Sequence, residues 1–76
     1  MSKYVKEGDK YQVIRVQVYS NDINGTVSSL YLRDESMTIA EQIGKICEDI
    51  DKNFNDYGIP QFTSRMAHYD EVQHLL

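Results

Sequence analysis

Apolar and polar positions alternate through Tyr11–Arg33, with a break at Asn24-Gly25. Alternation sends successive side chains to opposite faces of a strand, so the segment predicts a β-hairpin over residues 11–33. Two registers compete. A two-residue loop at Asn24-Gly25 faces Ile23 with Thr26 and sets Leu30 against Tyr19 and Leu32 against Gln17. A type I turn at Ile23-Asn24, with Gly25 as a left-handed bulge residue, faces Asp22 with Thr26 instead. It pairs Val18 with Leu30 and Val16 with Leu32. The second register is the one expected, because it alone gathers the aliphatics on one face and a one-residue slip scatters them. The opposite face then carries Val13, Arg15, Gln17, Tyr19, Val27, Ser29, Tyr31 and Arg33. Arg15 lies opposite Arg33 there, and Gln17 opposite Tyr31.

The spacing changes after Asp34. Ile39, Ile43, Ile46, Ile50 and Phe54 recur at helical intervals, with Cys47 beside them and Ala40 at the margin, which predicts a long helix over about residues 37–56. Ser36 or Thr38 can cap its start, and Thr38 with Glu41 forms a capping-box pattern. Glu41/Lys45 and Glu48/Lys52 are i,i+4 pairs on the polar side. Gly44 flanks the stripe and implies close approach of another element. Gly58 is the expected left-handed cap, and Pro60 prevents continuation.

Phe62, Met66, Tyr69, Val72 and Leu75 or Leu76 continue at a similar spacing, with Thr63 or Ser64 as N-cap, and are expected to form a second helix over about 63–75. A strand over 62–69 is the alternative. Tyr4-Val5-Lys6 is either a short leading strand, turned by Glu7-Gly8-Asp9, or a tail within residues 1–9. A lone two-stranded sheet is marginal in water. The expected fold is therefore α+β: a small antiparallel hairpin or three-stranded meander packed on the long helix, with a second, C-terminal helix. At 76 residues the chain is expected to form one domain, 1–76.

Composition narrows the function classes. An 8.9 kDa chain has little room for both a core and a large substrate cavity, which favours a surface-acting protein. Cys47 is the one cysteine, so no internal disulfide forms, in keeping with a reducing compartment. No apolar run approaches the roughly 18 residues of a membrane span, and Met1-Ser2-Lys3 leads into Tyr4-Val5-Lys6 rather than a signal-peptide core. The expected location is the cytoplasm, without a membrane partner. Asn24-Gly25-Thr26 then reads as turn chemistry rather than a glycosylation site.

The net charge of −4 divides unevenly: residues 1–33 carry five Lys/Arg against three Asp/Glu, and residues 34–76 three against nine. An overall negative field disfavours generic nucleic-acid binding, leaving only a local basic patch on the sheet or imitation of nucleic acid by the acidic half.

Catalytic and metal patterns are weak. Asp49, Asp51, Asn53 and Asn55 resemble the start of a calcium loop, but Phe54 stands where glycine is needed and Pro60 where a bidentate glutamate is needed. His68 and His74 are six apart and point different ways on one helix. Cys47 has no base beside it in sequence and reads as a small buried hydrophobe. No phosphate loop, serine elbow or zinc spacing occurs. Neither an enzyme, a metal nor a cofactor is expected.

What remains is surface. Arg15, Gln17, Tyr19, Tyr31 and Arg33 form the first candidate partner-binding surface, because Tyr and Arg are enriched at interface cores and opposed arginines call for an anion between them. Internal pairing with Asp34, Glu35 or a C-terminal carboxylate is the plain alternative. The acidic rim of Glu41, Glu48, Asp49 and Asp56 is the second candidate. The function expected is a non-enzymatic protein-interaction module, of the kind small phage or mobile elements use to occlude a larger host or defence protein. A small-ligand or nucleotide-binding domain, or a single-strand nucleic-acid binder using the Tyr/Arg face, is the alternative, and a homodimer is a further option.

Overall fold

In the computed structural model, residues 3–76 are described; Met1 and Ser2, which enter the leader reading above, lie outside them. Four antiparallel strands, one long helix and a short C-terminal helix make an α+β fold. The strands are β1 (Lys6–Glu7), β2 (Lys10–Ser20), β3 (Gly25–Leu32) and β4 (Gln61–His68). The helices are α1 (Ile39–Asn53) and α2 (Tyr69–Val72), the latter running into a 3-10 turn at Gln73–Leu75. β2 is central and pairs with β1, β3 and β4. Gly8, at φ +62, supplies the positive dihedral that the two-residue β1–β2 loop requires.

The hairpin register differs from the one expected. Ser20 pairs with Gly25, Val18 with Val27, Val16 with Ser29 and Ile14 with Tyr31. On the other face Val13 pairs with Leu32, Arg15 with Leu30, Gln17 with Ser28 and Tyr19 with Thr26. Val16 and Leu32 therefore lie on opposite faces, and Arg15 does not meet Arg33. The left-handed residue is Asn24, at φ 52, and Gly25 belongs to the strand.

Two physical reasons account for this. The four-residue loop 21–24 is docked: Ser20 Oγ accepts from Asp22 N, Asn21 N donates to Asp56 O, and Asp22 Oδ2 accepts from Asn55 N. The sheet is also buried on both faces, so its aliphatics need not share one. α1 lays Ile46 and Ile50 on Ile14 and Val16, with Tyr31, Phe54, Tyr57 and Phe62 around them. On the second face Tyr11, Val13, Leu32 and Ala67 pack with Val72 of α2, flanked by Tyr4, Leu30 and Leu75. Lys6 Nζ sits over the Tyr11 ring at 5.4 Å.

Residues 61–68 form a strand rather than the start of the second helix. β4 pairs with β2 over eight positions, from Lys10↔His68 to Gln17↔Gln61, and helix begins only at Tyr69. Pairing supplies β2 with its second edge partner, and alternation sends Phe62 toward α1 and the buried Ala67 toward Val72. His68 caps α2, Nδ1 accepting from Asp70 N, while its Nε2 lies 2.7 Å from Asp9 Oδ2.

α1 starts as expected. Thr38 Oγ1 accepts from Glu41 N, and Glu41 Oε1 accepts from Thr38 N, closing the capping box. The helix ends at Asn53, short of residue 56, because Phe54 turns extended and joins the core, and Gly58 is not left-handed. Instead, Gly58 N donates to Tyr19 O, carrying the chain along β2 toward β4. Gly44 is exposed, and a Cβ there would meet nothing within 4 Å, so no close approach explains it.

Candidate functional site

The first candidate surface is divided by the register. Arg15, Gln17 and Tyr19 lie on the second face; Tyr31 and Arg33 are on the α1 side. Tyr31 is half-buried beneath the helix, and burial, with the nearby Asp49 carboxylate, raises its phenol pKa above the ordinary value.

Arg33 has an internal role. Its Nη1 donates to Gln42 Oε1 at 3.0 Å and to the Asp34 carbonyl. Gln42 Oε1 also accepts from Asp34 N, and Gln42 Nε2 donates to Leu32 O at 2.7 Å. One buried amide thus ties α1 to the end of β3. Gln42 was not singled out in the sequence, although it stands three residues after Ile39 and four before Ile46, in phase with the apolar stripe. Beside it the Asp34 carboxylate accepts from Ser36 N and Oγ, bonds that hold its pKa below the usual value.

The acidic rim is likewise partly committed. Glu41 closes the capping box, and Asp56 Oδ1 accepts from Asn21 Nδ2. Asp49 is half-buried and Glu48 exposed. Lys45 and Lys52 interleave with these carboxylates, although among the described residues neither i,i+4 pair closes to salt-bridge distance. Of the calcium-like set, Asp49, Asp51 and Asn53 lie on continuous helix, with Asn53 Nδ2 donating to Asp49 O, and Asn55 lies past its end, donating its N–H to Asp22 Oδ2. Tyr57 donates its hydroxyl to Asp51, which raises the tyrosine pKa. Cys47 is half-buried on α1.

The open ground is the rest of the second face. α2 covers only the Tyr11–Val13 end, beyond which Arg15, Tyr19, Thr26, Ser28, Gln61, Thr63 and Arg65 are exposed. Arg15 Nε donates to Ser28 Oγ at 3.0 Å, and among the described residues no carboxylate reaches its guanidinium. Arg65 is paired with Glu71 at 2.9 Å, an exposed pair of little energetic weight. Apart from those two arginines, no strand residue in this half carries charge. At the hairpin end a groove of about 360 Å³ is lined by Gln17, Val18, Tyr19, Thr26, Ile59 and Gln61. Tyr19 is 48% exposed and Ile59 90%.

Ile59, Gln61 and Arg65 were missed in the sequence, because their placement depends on β4 being a strand on this side of β2. The patch joins amide and guanidinium donors to exposed apolar surface. It brings together no nucleophile and base, and among the described residues no three His, Cys, Asp or Glu side chains gather as a metal site. No helix of the described residues is long and apolar enough to cross a membrane. The chain matches no family model, no curated protein and no solved structure.

Proposed function

We propose that the protein is a non-enzymatic protein-binding module that occludes a larger host or defence protein, in the manner of small phage or mobile-element inhibitors. The contact surface is the open half of the second sheet face. One observation carries this reading: Tyr19 and Ile59 stand exposed beside Arg15, Gln17 and Gln61, where the strands bring no carboxylate. Aromatic and arginine anchors with apolar surroundings are the composition of interface cores. The partner that fits offers carboxylates to Arg15 and an apolar side chain to the Tyr19–Ile59 groove. A cytoplasmic setting suits a chain with one cysteine, half-buried on a helix.

Affinity capture from the source cell, followed by titration of the recovered partner, tests this. Tyr19→Ala is expected to weaken binding by about 1–3 kcal/mol without unfolding the protein. Glu48→Lys with Asp49→Lys is expected to leave it nearly unchanged. Loss of binding through the lysine changes alone would transfer the site to the acidic rim. Recovery of no stoichiometric protein, together with a large melting-temperature rise in a small-molecule screen, would instead make the groove a ligand site.

A further inference from the structure

Backbone alternation along β2 decides which groups of β4 face outward. Gln12 directs its N–H and C=O toward Val5 and Arg33, on the β1/β3 side, whereas Tyr19 O accepts from Gly58 on the β4 side. Odd-numbered β2 residues therefore bond β4, through Ala67, Arg65, Thr63 and Gln61. The N–H and C=O groups of Phe62, Ser64 and Met66 point away from the sheet. Among the described residues no strand pairs with that edge, and Arg65 Nη1, 3.4 Å from Met66 O, is the one side-chain donor on it.

The surroundings of this edge are mixed, with Gln12, Arg33, Thr63 and Ser64 beside a set of apolar side chains. Met66 is 39% exposed and Ile39 52%, and a groove of about 170 Å³, lined in part by Ile14, Ile39, Ile43 and Phe62, opens between α1 and the strand. The outer edge of β3 lacks this setting, since none of its large apolar side chains is exposed. An unpaired edge with neither lysine nor proline within it is a template for another strand.

We propose that β4 pairs with β4 of a second copy of this chain, antiparallel, about a two-fold axis at Ser64. The strand's own sequence selects the partner and the register. With the axis at Ser64, Phe62 lies opposite the second copy's Met66, Thr63 opposite its Arg65, and Gln61 opposite its Ala67. The three outward pairs exchange six backbone hydrogen bonds, and the Phe/Met contacts close over the groove. An axis at Arg65 would set that arginine against itself, and an axis at Thr63 would lose one of the three pairs. A two-fold axis perpendicular to the sheet keeps both α1 helices on one side. Both open faces then lie side by side on the other. The pairing does not depend on the protein-binding reading.

Sedimentation equilibrium of the isolated protein over micromolar to millimolar concentrations tests the pairing. The wild type is expected to reach twice the 8.9 kDa chain mass. Ser64→Lys and Ser64→Glu each place like charges opposite one another and are expected to remain monomeric, with the circular dichroism of a folded chain. Mixed in equal amounts, they are expected to recover the dimer mass, because residue 64 faces its own counterpart only in this register. Ser64 Oγ also donates to Val13 O, so Met66→Lys, at an exposed side chain, serves as the second variant and is expected to weaken association at least tenfold. A wild type that stays monomeric throughout would overturn the proposal, as would a folded Ser64→Lys or Met66→Lys protein that still dimerises. Neither result would touch the partner reading, which is measured with a different protein and through Tyr19.

Discussion

The two faces of the sheet are covered by elements of very different length. On one, the 15 residues of α1 run about 22 Å and shelter Ile14, Val16 and the residues around them. On the other, the four residues of α2, about 6 Å long, and the three-residue 3-10 turn that follows shelter little beyond Tyr11, Val13, Leu32 and Ala67. β2, with 11 residues, extends about 36 Å beneath both. The shortfall on the second face is what leaves Arg15 and Tyr19 exposed and Gln17 half-buried. An open patch here arises from how much cover the chain provides, and its chemistry from which residues the register turns that way.

The largest effect is expected where α1 is tied down. Gln42→Leu keeps bulk but leaves Leu32 O, Asp34 N and Arg33 without their amide partner, and should destabilise by about 2–4 kcal/mol in urea unfolding. Next come the two cores themselves. Val13 is 0% exposed and Val16 2%, so alanine at either should cost about 1–3 kcal/mol. A Val13→Ala protein as stable as wild type would reduce the second core to a surface contact.

A smaller effect sharpens the turn on which the register depends. Asn24→Ala should cost about 1 kcal/mol, because Asn24 holds the positive φ. Gly25→Ala should be nearly neutral, its added Cβ meeting nothing nearer than Ile23 O at 3.9 Å. Equilibrium unfolding of the two variants would reveal a reversed order if the loop were misassigned.

The least effect is expected from alkali. Tyr31 and Tyr57 have folded-state pKa values above the unfolded value of 10.0, so their neutral forms favour the fold. That contribution is complete below pH 10 and is lost as pH rises through the higher folded values. Tyr57→Phe should remove part of the resulting fall in melting temperature.

How far the sequence could be read follows the same division. α1 was legible from the Thr38/Glu41 box and its isoleucine stripe, which need only local information. The strands of the hairpin were legible from alternation, but their register was not, since the phase argument assumes one buried face and the chain buries two. Phe62 and Met66, four apart, share a face in a helix and in a strand alike, so β4 could not be told from helix by that spacing. Of the first candidate surface, Arg15, Gln17 and Tyr19 keep one face because they lie on one strand. Tyr31 and Arg33 fell away with the register, and Ile59 and Gln61 entered with β4.

Register is therefore the point on which the account turns, and cross-strand Hα–Hα nuclear Overhauser effects measure it directly. Residues in a non-hydrogen-bonded antiparallel pair approach to about 4.5 Å between Cα atoms, close enough for strong cross-peaks. The structure predicts such peaks for Arg15 with Leu30 and Gln17 with Ser28. A cross-peak between Arg15 and Arg33 in their place would return Tyr31 to the side of Tyr19 and contradict the two-faced core.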